Sequence, residues 1–257
     1  MNAGIVRRSR FLVGFVLLFA IWELAVQSGV KEYVLPSPIS VFHGFVENWP
    51  HLLINAWTTT LEILAGYGLA IAVSIPLALL IAFSRIFEET IYPVVVFLQI
   101  VPKIAVAPLF IIWFGFGFTP KLLLVFLLSF FPIVVSSIAG FKSINPEIVD
   151  FVSTTGANGI RTFFKIRLPH ALPEIFTGLK VGAALSATAA VVAEFVASDR
   201  GLGYLLLQYN GDLNTRMVFA AIILLSAIGV AIYFIAELLE RIFVPWRVTS
   251  GERTDMT

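Results

Sequence analysis

Few side chains in this 257-residue sequence stand where they could do chemistry, and most of those are ionisable groups inside apolar runs. Lys103 is the sharpest case, lying between Pro102 and Ile104 in the middle of a hydrophobic stretch interrupted by prolines. An ammonium at membrane depth is costly, so it faces water, a carboxylate or a solute, or it snorkels to an interface. Glu194, at the end of another apolar run, is a carboxylate able to pair with it. Trp113 precedes Gly115, Phe116 lies between Gly115 and Gly117, and Tyr204 and Tyr209 follow Gly201 and Gly203. Lys103, Trp113, Glu194 and Tyr204 are therefore the pathway candidates, suited to a flat organic solute. Turn-making glycines and an interfacial aromatic belt account for the same residue types without a solute. Lys180 is expected to snorkel, Glu23 and Glu62 to be interfacial or paired, and Glu237 and Glu240 to form a helix-end cluster with Arg241.

Catalytic constellations are missing. No Ser/His/Asp set, His-Glu-x-x-His or paired carboxylate array occurs, which leaves an enzyme reading without residues to carry it. No Gly-x-x-x-x-Gly-Lys-Ser/Thr occurs either, so the chain does not cradle a nucleotide by the P-loop route and energy must come from a partner. His43, His51 and His170 have no metal-ligand spacing, and the absence of cysteine excludes disulfides and thiolate metal sites. The expectation is a chain without a cofactor or metal of its own.

The elements that position these residues follow from composition. With 59% hydrophobic residues, 13% charged and a mean hydropathy of +0.95, the sequence is an integral membrane protein. A net charge of +1 with no basic tail speaks against nucleic acid. Apolar runs at about 11–28, 61–83, 91–113, 122–141, 175–196 and 218–239 each approach the ~20 residues a bilayer core demands, giving an all-α protein with six transmembrane helices in one domain. Arg7, Arg8 and Arg10 before the first run suit an uncleaved anchor. Pro93, Pro102 and Pro108 make the third span irregular and interior, because freed carbonyls are tolerated only beside other helices or water. Gly178, Gly182 and the alanines near them make the fifth a packing interface. Between the first two spans, Ser37 and Pro38 start a short surface helix with Val41, Phe42 and Phe45 on one face.

Asp150 to Pro173 is the one long polar interruption. It reads as a short helix, Asp150 to Thr155, a break at Gly156-Ala157-Asn158-Gly159, and an amphipathic turn carrying Ile160, Phe163, Phe164 and Ile166, after which Pro169 and Pro173 start the next helix. Arg161, Lys165 and Arg167 flank the paired aromatics. With the N-terminus inside, Arg7, Arg8, Arg10, Arg85, Lys142, Arg161, Lys165, Arg167, Arg241, Arg247 and Arg253 are cytoplasmic, and only Lys31, Lys121, Arg200 and Arg216 are outside. That bias puts both termini and the 150–169 loop in the cytoplasm.

Gly156, nine intervening residues and Ile166-Arg167-Leu168-Pro169 resemble the EAA loop of permease subunits of bacterial ABC importers, with Asp150 in place of the glutamate and Phe151-Val152 in place of the alanines. The segments Val101 to Gly117, Leu35-Pro36-Ser37-Pro38 and Ala193 to Tyr204 widen the resemblance to the branch serving nitrate, taurine, alkanesulfonates, thiamine-precursor pyrimidines and riboflavin. It implies a type I importer permease fold in the bacterial inner membrane, with Asp150, Gly156, Ala157, Arg161, Phe163, Phe164, Ile166, Leu168 and Pro169 forming the helix that couples to an ATPase. It further implies a homodimer of this chain, two ATPase copies that bind ATP and Mg²⁺, and an extracytoplasmic solute-binding protein. The Pro-Lys-Ile-Ala run at Pro102 favours the pyrimidine and riboflavin members. A self-contained secondary transporter or channel is the competing reading, because a broken span with a buried lysine serves it equally.

Overall fold

The structure is a computed structural model that describes residues 3–154 and 158–246. It is helical, and no strand occurs among the described residues. In chain order the α-helices are α1 (Ala3–Gln27), α2 (Pro38–Glu47), α3 (Trp49–Phe83), α4 (Arg85–Ile100), α5 (Ala107–Phe114), α6 (Phe118–Lys142), α7 (Pro146–Thr154), α8 (Gly159–Thr162), α9 (Leu168–Ala197), α10 (Leu202–Gly211) and α11 (Thr215–Phe243). A 3₁₀ turn, Lys103–Val106, precedes α5, and a π turn, Phe163–Arg167, joins α8 to α9. Among the described residues four helices are long and apolar enough to cross a bilayer: α3, α6, the run from α8 through α9, and α11. The pair formed by α4 and the Lys103–Phe114 segment is a fifth candidate, bent by 88°. The first expected span, 11–28, falls on α1.

That bend has a local cause. Pro102 keeps Val101 out of helical geometry, and Val101 is extended at φ −59°, ψ 132°. Pro108 stands in the first turn of α5, where its missing N–H costs nothing. Pro76, Pro93 and Pro132 instead lie inside continuous helices. Proline thus breaks the third span at one place only.

Two compact units divide the chain. The larger, residues 60–198 and 226–257, holds the main core. Its centre is α6 against α9, and small residues set the spacing, as expected from the fifth span. A Cβ on Gly178 would lie 2.8 Å from the Pro132 carbonyl oxygen, and one on Gly182 3.0 Å from Ile133. Ala183, Ala189, Ala190 and Ala193 are buried along the same helix. With no hydrophobic drive between helices in lipid, such close backbone approach and interhelical hydrogen bonds supply the cohesion. Ser129 donates to the Gly182 carbonyl at 3.2 Å, Ser74 to Phe130 at 3.1 Å, and Tyr67 to Leu179 at 2.8 Å.

The smaller unit is residues 1–59 and 199–225. Ser37 caps α2 by accepting from the Ser40 N–H at 3.1 Å. The buried face of α2 is Val41 and Gly44, whereas Phe42 points outward, so the expected Val41/Phe42/Phe45 face is rotated. Gly44 is packed beside the Arg216 side chain, 3.0 Å from where a Cβ would stand, so a larger residue there requires Arg216 to shift. Helix α10 is capped from elsewhere in this unit: Asn55 Oδ1 accepts from the Gly201 N–H at 2.7 Å and Thr59 Oγ1 from the Leu202 N–H at 2.8 Å.

Candidate functional site

The polar loop is built on two caps and one irregular turn. Asn145 Oδ1 accepts from the Glu147 N–H at 3.0 Å and starts α7. Asn158 Oδ1 accepts from the Arg161 N–H at 2.9 Å and starts α8. Gly156 and Ala157, between them, lie outside the described residues. Pro169 shapes the turn before it, because a proline ring collides with the carbonyl four residues back and offers no N–H to it. The chain widens into a π turn over Phe163–Arg167, in which the Leu168 N–H reaches the Phe163 carbonyl. The helix therefore runs on from Gly159 to Val196 instead of starting afresh at the prolines.

This turn gives the loop two faces. Phe163 lies inward, its ring centroid 6.0 Å from Phe83 and 6.4 Å from Phe141, and Leu168 also packs on the core. Phe164, its neighbour, is 62% exposed, Ile160 is 71% exposed, and Arg161 and Lys165 are exposed beside them. The expectation that both phenylalanines look outward thus holds for Phe164 alone, because the π turn sends Phe163 into the aromatic contact. Ile166 and Pro169 are half-buried. Arg167 does not face outward with the other cations, since its guanidinium sits 4.9 Å over the Phe83 ring. Asp150 is exposed at the rim of a cleft of about 440 Å³, whose wall also includes Glu88, Phe141, Lys142 and Arg167.

Among the pathway candidates, Lys103 donates to the Gln99 carbonyl at 2.6 Å and lies 4.6 Å over the Phe131 ring. It closes the last turn of α4, where backbone carbonyls carry partial negative charge. Trp113 is exposed at the end of α5, and Glu194 is buried on α9. Tyr204 is half-buried on α10 in the smaller unit, whereas the other three belong to the larger.

Apart from Glu194, the most buried charges are not among those candidates. Lys121, which its place in the sequence assigns to the outer loop cations, is 4% exposed in the first turn of α6 and pairs with Glu62 of α3. Its Nζ also donates to Ser198 Oγ at 2.9 Å, where α9 ends. Glu194 precedes Ser198 by one helical turn. Lys180, expected to snorkel, pairs with Glu240 of α11 at 2.6 Å, and Glu237 pairs with Arg241. The available signal is the isolation of Lys121 and Glu62 in apolar sequence.

Fold and site together define a class: a polytopic α-helical membrane protein organised on one close helix pair, with a two-faced loop outside its apolar spans. The chain belongs to the binding-protein-dependent transport system inner membrane component family, whose family model matches residues 74–245, and so to the ABC importer permeases. It is 34% identical to the formylaminopyrimidine transport permease protein ThiX of Halalkalibacterium halodurans, over 91% of this chain and 94% of that one. To the riboflavin transport system permease protein RibX of Chloroflexus aurantiacus it is 36% identical, over 92% and 90%. The taurine transport system permease protein TauC of Escherichia coli is 31% identical, over 90% and 86%. In structure the chain is similar to the MetNI methionine ABC transporter in its inward-facing conformations, with TM-score 0.63 at 17% identity, covering 75% of this chain and 96% of that one. The fold is that of a type I importer permease. None of these findings supports a self-contained secondary transporter or channel.

Proposed function

We propose that this permease carries a small organic solute into the cytoplasm, with a thiamine-precursor pyrimidine or riboflavin favoured and taurine, alkanesulfonates or nitrate next. ATP and Mg²⁺ bind a separate ATPase dimer. Two copies of this chain form the pathway, and an extracytoplasmic binding protein delivers the solute. Both termini and the 150–169 loop face the cytoplasm, as the distribution of Lys and Arg favours. The names of the pyrimidine and riboflavin permeases similar to this chain support the solute preference.

One observation carries the coupling role of the loop: Ile160 and Phe164 are exposed beside Arg161 and Lys165, while Phe163 and Leu168 fasten the same turn to the bundle. An apolar pair rimmed by cations suits a groove on a partner protein. The inward anchors make the loop stiff enough to transmit force from that partner to α9. ATP closes the ATPase dimer, the docked loops follow, and the spans alternate between inward-open and outward-open states that bind ATP differently. Lys103, Trp113, Glu194 and Tyr204 remain the candidates for solute contact.

The test is co-purification followed by hydrolysis. Phe164→Asp with Arg161→Glu leaves the permease folded and loses the ATPase; retention of the ATPase by that variant refutes the docking role. ATP hydrolysis by the intact complex, measured with binding protein loaded in turn with pyrimidine, riboflavin, taurine and nitrate, rises with the transported solute.

A further inference from the structure

We propose that Lys121 is a positioning residue, the ionic clamp that holds α3 and α9 to α6 at the outer end of the larger unit in one transport state and lets them part in the other. The proposal rests on the importer reading above for its two states and for which end is outer. Its geometric basis is independent of that reading. One ammonium joins three helices, pairing with Glu62 of α3 and donating at 2.9 Å to Ser198, where α9 gives way to extended backbone.

Lys121 is placed against every general preference. It is 4% exposed, so it has given up its hydration. It stands in the first turn of its own helix, whose dipole repels a cation. It also fixes a long flexible side chain. Stability does not demand this arrangement, because an apolar pair of similar size commonly replaces a buried ion pair without loss. What the ionic contact adds is reversibility. When an outer mouth opens, incoming water solvates the freed ammonium, carboxylate and hydroxyl, whereas an apolar plug gains nothing from that water. The C-terminal end of α9 carries the negative end of that helix's dipole, so the closed contact is electrostatically favourable as well. The clamp therefore brings the closed and open states close in free energy, which a bistable transporter requires.

The chain has no cysteine, so Phe118→Cys with Val196→Cys places a spin-label pair on exposed positions of α6 and α9 near the clamp. The assembled complex, in lipid nanodiscs with its ATPase, is measured by electron spin distance with and without ATP and vanadate. With Lys121 and Glu62 intact, the distance distribution shifts on adding nucleotide. Glu62→Met with Lys121→Met, which removes both charges of the pair, keeps the ATPase bound and keeps thermal stability but loses the shift. Glu62→Lys with Lys121→Glu restores it, because Ser198 can donate to a carboxylate as well as accept from an ammonium. A shift in the double methionine variant equal to the parent's overturns the clamp alone, as does a charge-swapped variant that stays immobile. A parent complex that shows no shift overturns the importer's two-state reading and the clamp together.

Discussion

At one end of α6 the side chains of Lys121 and Glu62 meet at 5% and 0% exposure, whereas at the other Lys142 and Glu88 meet at 34% and 48%. The helix is 25 residues long, about 37 Å at 1.5 Å per residue, so the two pairs lie in different media. The buried pair has lost its water and cannot be left half-made. The exposed pair keeps water within reach, and Lys142 adds only a loose contact 5.6 Å over the Tyr92 ring. The same two residue types thus act as a junction at one end and as a solvated contact at the other. The difference between them is set by what packs around the pair.

The sharpest break of this comparison is Lys121→Met alone. It leaves Glu62 buried without its ammonium partner, a change that costs about 3–5 kcal/mol in comparable buried pairs. Purified permease carrying this variant unfolds at markedly lower temperature or aggregates, and a melting profile equal to the parent's would show that Glu62 finds water. Adding Glu62→Met recovers most of the loss. The recovery separates the cost of an orphaned charge from any net value of the pair.

Between the two ends, α6 packs closely against α9, and Gly178 is the place to break that contact. A valine there drives Cβ to 2.7 Å from Ser136 Cβ and 2.8 Å from the Pro132 carbonyl, and the carbonyl belongs to backbone that cannot step aside. Overpacking of this kind costs about 1–3 kcal/mol. The expected result is a lower melting temperature, whereas the same change at Gly68, with open space around its Cβ direction, leaves it nearly unaltered.

At the loop end the adjacent phenylalanines separate anchoring from the docking proposed above. Phe163→Ala removes a half-buried ring set on Phe83 and Phe141 and costs about 1–3 kcal/mol by loss of buried apolar area. Phe164→Ala changes stability little, since the ring is 62% exposed, but weakens retention of the ATPase. Equal melting temperatures for the two variants would show that the loop is not fastened through Phe163.

Much of this architecture is legible in the sequence. The apolar runs mark the long helices, the prolines mark the third span as irregular, and the small residues of α9 announce its close packing. Each of those signals is local, readable within one stretch of chain. The features that escape are long-range. Nothing near Lys121 in sequence shows that Glu62 and Ser198 converge on it, and hydropathy alone assigns a lysine to a loop. Helix α10 escapes because its caps, Asn55 and Thr59, come from α3. The inward turn of Phe163 depends on a π turn that Pro169 enforces from downstream, beyond the reach of a helical-spacing count.

The smallest expected effect lies at the exposed end. Lys142→Gln removes the 2.6 Å contact to Glu88 and the approach to Tyr92, yet exposed pairs contribute only about 0–1 kcal/mol, and water replaces the lost ammonium at once. The melting temperature of this variant stays near the parent's. Salt sharpens the contrast, because a partly hydrated pair is screened over about 8 Å at physiological ionic strength while a desolvated one is not. Raising salt therefore erases what little separates Lys142→Gln from the parent and leaves the Lys121→Met defect in place. If Lys142→Gln instead destabilises the protein as strongly as Lys121→Met, solvent does not reach that end of α6 and the two ends are alike.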